Sequence, residues 1–107
     1  MNEQHHTQRT QQLAELAARF VSERSNRTSL ITITRATLPK TEDRITFYVS
    51  VFPEEAEGPA IGFLMRMRGE CREYLKAHAP LSRIPHVEFT LDIGDKRRRR
   101  VEELLRE

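Results

Sequence analysis

With 107 residues and 12.6 kDa the chain is long enough for one domain and too short for two. A hydrophobic fraction of 37% beside 32% charged residues argues against wholesale disorder, and the net charge of +2 says little about partners by itself. A membrane span is excluded, because the apolar run Ile61 to Met65 falls far short of the roughly 20 residues a spanning helix needs.

Leu13, Leu16, Ala17, Phe20 and Val21 recur at helical spacing and predict an amphipathic helix over residues 8 to 24, stopped by Ser25, Asn26 and Thr28. Residues 1–8 carry Glu3, Gln4, His5 and His6 with no apolar stretch, so they read as disordered and as no secretion signal. From Leu30 to Leu38 the density of β-branched residues predicts a strand, and Pro39 to Asp43 supply turn chemistry after it. A second strand alternates strictly, with Ile45, Phe47, Val49 and Val51 on one face and Arg44, Thr46, Tyr48 and Ser50 on the other. The two read as an antiparallel hairpin with one wet face.

Pro53 to Pro59 form an acidic connector, and Gly58-Pro59 is a helix start. Ile61, Leu64, Met67, Cys71, Leu75 and His78 keep one apolar face through residue 78, but Gly69 near the midpoint predicts two helices meeting at a bend. Pro80 ends the second. After Pro85 alternation returns, with Val87, Phe89, Leu91 and Ile93 inward, and Asp95 reads as the cap of a last short helix whose apolar residues are Val101, Leu104 and Leu105. The expected architecture is α+β, with helices packed on one face of a three-stranded sheet.

Of the 18 basic residues 15 are arginine, whose planar fork matches phosphate oxygens, although a GC-rich genome would show the same bias. Arg68, Arg72 and Lys76 follow one line along the helix after the bend, with Arg66 on the opposite side. That line beside a bend with free N–H groups suits phosphate, whereas pairing with Glu70 and Glu73 would make it a solvated face. Lys96, Arg97, Arg98, Arg99 and Arg100 open a helix against its dipole, which calls for an anion unless the tail is frayed. The single Cys71 cannot close an internal disulfide, which suits a reducing cytoplasm, and it sits on the apolar stripe as core. The spacing of Cys71, His78 and His86 suits no zinc site, so no metal is expected. Glu42 with Asp43, and Glu54 with Glu55, are turn and connector acids and not an acid and base pair.

The element order helix, strand, strand, helix, bend, helix, strand is the type II arrangement of the KH fold, αββααβ. Several blocks resemble the bacterial ribosome-binding factor A family. They are Ile31-Thr-Ile-Thr-Arg35, Phe47-Tyr-Val-Ser-Val51, Gly69-Glu-Cys-Arg72, the run Leu81-Ser-Arg-Ile-Pro-His-Val-Glu-Phe-Thr-Leu-Asp92 and the ending Arg100-Val-Glu-Glu-Leu-Leu105. The resemblance covers nearly the whole chain, from about Gln11 to Leu105. The resemblance implies a factor that binds free 30S subunits and their 16S rRNA, assists late maturation and 5′-end processing and supports growth in the cold, with no catalytic activity and no cofactor. It also implies that an interhelical bend, alanine, any residue, glycine, replaces the RNA-clamping G-x-x-G loop. Here that position reads Met67-Arg68-Gly69, so the glycine matches and the alanine does not.

The sequence therefore predicts one KH-like domain over residues 1–107, with 95–107 as a basic helical tail. It is expected to be a cytoplasmic monomer with no membrane or small-molecule partner, holding rRNA through Arg66, Arg68, Gly69, Arg72, Lys76, Lys96 and Arg97 to Arg100. The alternative is a BolA-like domain that binds a glutaredoxin around an iron-sulfur cluster. The histidine-bearing loop of that family is absent, since Leu38 to Arg44 holds no histidine or cysteine.

Overall fold

The computed structural model describes residues 3–26 and 28–106. In chain order the elements are α1 (Glu3–Arg24), β1 (Leu30–Thr37), β2 (Arg44–Phe52), a 3-10 turn (Glu54–Ala56), α2 (Glu57–Arg66), α3 (Arg68–His78), β3 (His86–Leu91) and α4 (Ile93–Arg106). The result is an α+β fold with four helices and a three-stranded mixed sheet in the order β1-β2-β3.

β1 and β2 pair antiparallel across a short turn, with Ile33 opposite Val49 and a bulge before Arg35. β2 and β3 pair parallel, because the α2–α3 crossover between them returns the chain to the same end of the sheet. Their register sets Ile45 beside Val87, Phe47 beside Phe89 and Arg44 beside His86. The alternation in β2 buries Ile45, Phe47, Val49 and Val51, and these meet Leu13, Ala17, Phe20 and Val21 of α1, Leu64 of α2, and Cys71 and Leu75 of α3. Burial pushes the Cys71 thiol up to about 12, so it remains a neutral core group at physiological pH.

Helix α1 begins at Glu3, upstream of the expected residue 8, and so covers described residues that the sequence reads as disordered. A tertiary clasp explains the extension. Arg9 Nε donates to Glu42 Oε1 at 3.0 Å, and Arg9 Nη2 also reaches Glu42 Oε2. His6 places Nδ1 2.8 Å from Glu42 Oε2 and Nε2 2.6 Å from the Leu38 carbonyl. Glu42 presents its carboxylate from a left-handed turn, φ 54°, closed by its N–H to the Pro39 carbonyl at 2.9 Å.

The Arg9 guanidinium, ahead of His6, holds the Glu42 carboxyl below the usual carboxylate range. Because the value is lower in the folded state, the stabilisation is complete above about pH 4.3, the unfolded value, and is lost as the pH falls through the folded one. Amide exchange at pH 6 should show weaker protection at the start of α1 in Glu42→Gln than in the wild type, with the difference vanishing near pH 2. Equal protection at pH 6 would refute the clasp.

The break between α2 and α3 falls within the expected Met67-Arg68-Gly69 bend, at its first residue, Met67. Met67 adopts φ −91°, ψ 2°, and its N–H is shared between the Phe63 and Leu64 carbonyls, each at 3.1 Å. Gly69 already belongs to the first turn of α3, and a Cβ there would meet nothing within 4 Å. Gly69→Ala is therefore expected to raise stability by about 0.5 kcal/mol through helix propensity. A lower melting temperature for the variant would show that the junction needs the glycine.

Asp92, not Asp95, caps α4: its Oδ1 accepts the Asp95 N–H at 3.0 Å. Ile93, expected as an inward strand residue, is the first residue of the helix and is exposed. Asp92 itself is buried, with Oδ2 accepting the Thr34 hydroxyl at 2.6 Å and lying 3.6 Å from Arg35 Nε. Val101, Leu104 and Leu105 are all exposed, so no described residue of α4 is buried.

Candidate nucleic-acid interface

The junction of α2 and α3 stands beside the first residues of β2 and β3 and forms an open groove lined by Arg44, Arg66, Arg68, Arg72 and His86 around Gly69. Four arginines against one carboxylate, Glu88, leave the groove strongly positive. Each arginine is placed by a different device. Arg68 is half-exposed, donating from Nε to the Met65 carbonyl at 2.9 Å and from Nη1 to both Glu88 oxygens at 3.1 Å. Arg72 donates from Nη2 to the Ile84 carbonyl at 3.0 Å, while its buried Nε has no acceptor among the described residues. Arg66 and Arg44 are exposed. Met67 offers no side-chain cap, and the first residues of α3, Arg68 and Gly69, line the groove.

Arg68 and Arg72 share the groove as their spacing predicts, but the same spacing carries exposed Lys76 beyond it. Arg66, expected on the opposite side, joins them. It stands at the end of α2, next to the break at Met67, and its long exposed side chain lines the groove from there. Arg44 and His86 were not anticipated. They enter because the parallel β2–β3 register sets them side by side, and no local pattern announces a pairing between positions that far apart in the chain.

The cations of α4 lie at the other end of β2, beside Phe52 and the 3-10 turn. Eight residue steps at about 3.3 Å place the two ends of that strand roughly 25 Å apart. The run also finds anions within its own chain. Lys96 Nζ lies 2.9 Å from Glu54 and 3.0 Å from Glu57, Arg100 reaches Glu54 at 3.4 Å, and Arg98 and Arg99 pair with Asp95 at 3.1 and 3.2 Å. Hydrogen bonding with Lys96 holds the Glu54 carboxyl low and Lys96 itself high. Together with the capping Asp92, these acids offset the conflict with the helix dipole. Among the described residues Arg97 alone of the five makes no ion pair. No cluster of histidine, cysteine and acidic side chains able to hold a metal occurs among the described residues, and no helix there is long and apolar enough to cross a membrane.

No protein-family model and no curated protein sequence matches the chain. Solved structures do. The crystal structure of ribosome-binding factor A from Thermus thermophilus superposes with a TM-score of 0.72 at 23% identity, covering 79% of this chain and 92% of that one. A Thermotoga maritima solution structure, a candidate ribosome binding factor A, gives 0.65 at 24% identity over 83% and 89% of the two chains. A Thermus thermophilus homology model fitted into the cryo-EM map of a 30S–ribosome binding factor A complex gives 0.64 at 24% identity over 75% and 87%. Likeness of this degree, over most of both chains, establishes the architecture: the chain has the α+β fold of the ribosome-binding factor A structures.

Proposed function

We propose that this chain is a small-subunit assembly factor of the ribosome-binding factor A kind, binding 16S rRNA on free 30S subunits through the arginine groove at the α2–α3 junction. The observation that carries the reading is the convergence of Arg44, Arg66, Arg68 and Arg72 on the uncapped start of α3, in a fold shared with a protein fitted into a 30S complex. In this reading the fold is a type II KH-like arrangement whose α2–α3 junction stands in place of a G-x-x-G loop. With no glycine loop to bring backbone close to a single strand, phosphate contacts and rRNA shape dominate recognition. The protein works in the cytoplasm as a monomer and a single domain, assisting late maturation and 5′-end processing without catalysis or cofactor.

The α4 cations form a second contact at the far end of the sheet. Arg97 is open to phosphate at once, whereas Lys96 and Arg100 must exchange Glu54 and Glu57 for rRNA. Lys76 extends the groove along α3. For about six neutralised phosphates the log affinity falls against log salt with a slope of about −4 to −5.

Sucrose-gradient fractionation of a tagged copy tests the reading. The chain should sediment with free 30S subunits and not with 70S ribosomes, and cells lacking it should accumulate 16S rRNA with an unprocessed 5′ end. A tag confined to the top of the gradient, with normal 5′ ends in the deletion strain, would refute it. Deleting residues 96–107 should leave the domain folded, since no described α4 residue is buried, with a fall in melting temperature of about 5 °C as the helix that Asp92 caps is lost, and should flatten the salt slope by about 1.5, two phosphates' worth. Melting of the whole domain would instead make α4 structural.

A further inference from the structure

A second hollow, of about 290 Å³, lies on the other flank of α2, between that helix and the segment joining α1 to β1. Ile31, Ala60 and Phe63 supply apolar lining, and Asn26 and Thr28 supply polar lining. Asn26 is already oriented, because its Oδ1 accepts the Thr28 N–H at 3.0 Å and the Thr28 hydroxyl as well. That arrangement commits the amide oxygen and leaves two Nδ2 donors with no acceptor among the described residues.

Two arginines complete the lining. Arg24 is loosely held, 3.8 Å from Glu70 and 5.2 Å from the centre of the Phe20 ring. Arg66 makes no ion pair among the described residues and lies back over Gly62, where an added Cβ would stand 3.4 Å from its Nη1. The same arginine lines the groove at the α2–α3 junction, so the two depressions share a wall.

Apolar walls, free amide donors and two cations correspond to the three parts of a nucleotide: a base with apolar faces, its hydrogen-bonding edge and its phosphate. An inorganic anion would leave Ile31 and Phe63 unused, and an apolar side chain would leave Asn26 and both arginines unused. We propose that this hollow receives one extruded nucleotide of a single RNA strand, whose backbone continues over Arg66 into the arginine groove. The inference rests on the RNA-binding reading and adds to it a subsite that selects single-stranded, unstacked RNA.

NMR titration of the full chain with the four ribonucleoside 5′-monophosphates, and with ribose 5-phosphate as control, tests it. At least one nucleotide should shift the amides of Ile31, Ala60 and Phe63, and ribose 5-phosphate should leave them unmoved. Asn26→Ala, on the exposed rim, and Phe63→Leu should together raise the Kd for a single-stranded oligoribonucleotide about tenfold without altering the salt slope, because base contacts and not phosphate contacts are lost. RNA that binds with full salt dependence while every nucleotide leaves these amides silent and the variants keep their affinity would overturn the subsite and leave the groove reading intact. Shifts with a mononucleotide but not with an RNA strand would assign the hollow to a free nucleotide and overturn the strand-bound site. If no RNA binds at all, the subsite falls together with the reading on which it rests.

Discussion

Replacing Arg66, Arg68 and Arg72 together by glutamine is expected to weaken binding to 30S subunits about 100-fold. Each solvated arginine–phosphate contact contributes about 1 kcal/mol, so three lost contacts amount to about 3 kcal/mol, or slightly more than two decades. The salt slope should fall by about 2 to 3, at 0.7 to 0.9 per phosphate no longer neutralised. Glutamine keeps a polar side chain of intermediate length, so the contact of Arg72 with the Ile84 carbonyl can be replaced in part, and the melting temperature serves as the control for folding. Unchanged affinity and slope in a folded variant would show that protein contacts, not these arginines, hold the chain on the subunit. The single changes should be unequal. Arg66→Gln acts on binding alone, whereas Arg68→Gln also frees Glu88 and leaves an uncompensated carboxylate facing the RNA.

Asp92→Ala should lower stability by about 2 to 3 kcal/mol, a fall in melting temperature of about 10 °C or more. About 1 kcal/mol is the lost helix cap of α4, and the remainder is the buried hydrogen bond to Thr34 together with the loss of a partner for Arg35. Arg35 is stacked 3.6 Å from the Tyr48 ring centre, so its release loosens the outer face of the sheet as well. Asp92→Asn separates the two contributions, because asparagine caps a helix about as well as aspartate but carries no charge. The Thr34 hydroxyl, followed by the Asp95 N–H, holds the Asp92 carboxyl below the usual range. Its contribution is therefore complete above about pH 4 and lost as the pH falls through the lower folded value. The wild type should accordingly lose stability between about pH 4 and pH 2 more steeply than Asp92→Asn. Parallel pH profiles, or an alanine variant as stable as the wild type, would remove Asp92 from the account of how α4 is held.

Within this molecule the two basic clusters differ in how freely they meet an anion. In the groove, Arg66 and Arg44 make no ion pair among the described residues and only Arg68 is matched by a carboxylate. In α4, four of the five cations are already paired with Glu54, Glu57 or Asp95. The consecutive run is the more conspicuous feature of the sequence, yet the scattered arginines form the more available surface.

The sequence by itself determined the elements and the core. The helical stripe Leu13, Ala17, Phe20 and Val21 and the alternation Ile45, Phe47, Val49 and Val51 are both fully buried, because burial on one face imposes a period that is written locally. It also placed Arg68 and Arg72 together, since both lie on one unbroken helix. What only the tertiary structure decided depends on segments far apart in the chain. Glu42 lengthens α1 by holding Arg9 and His6 from a distant turn. Parallel pairing of β2 and β3 brings Arg44 and His86 to the groove. Thr34 and Arg35 fix Asp92 as the cap of α4. Arg66, at the end of α2, joins Arg68 in lining the groove although no helical line connects the two. Periodicity reports which face of an element is buried, but the partner that buries it, and the helical phase on the far side of a break, are settled only when the segments pack against one another.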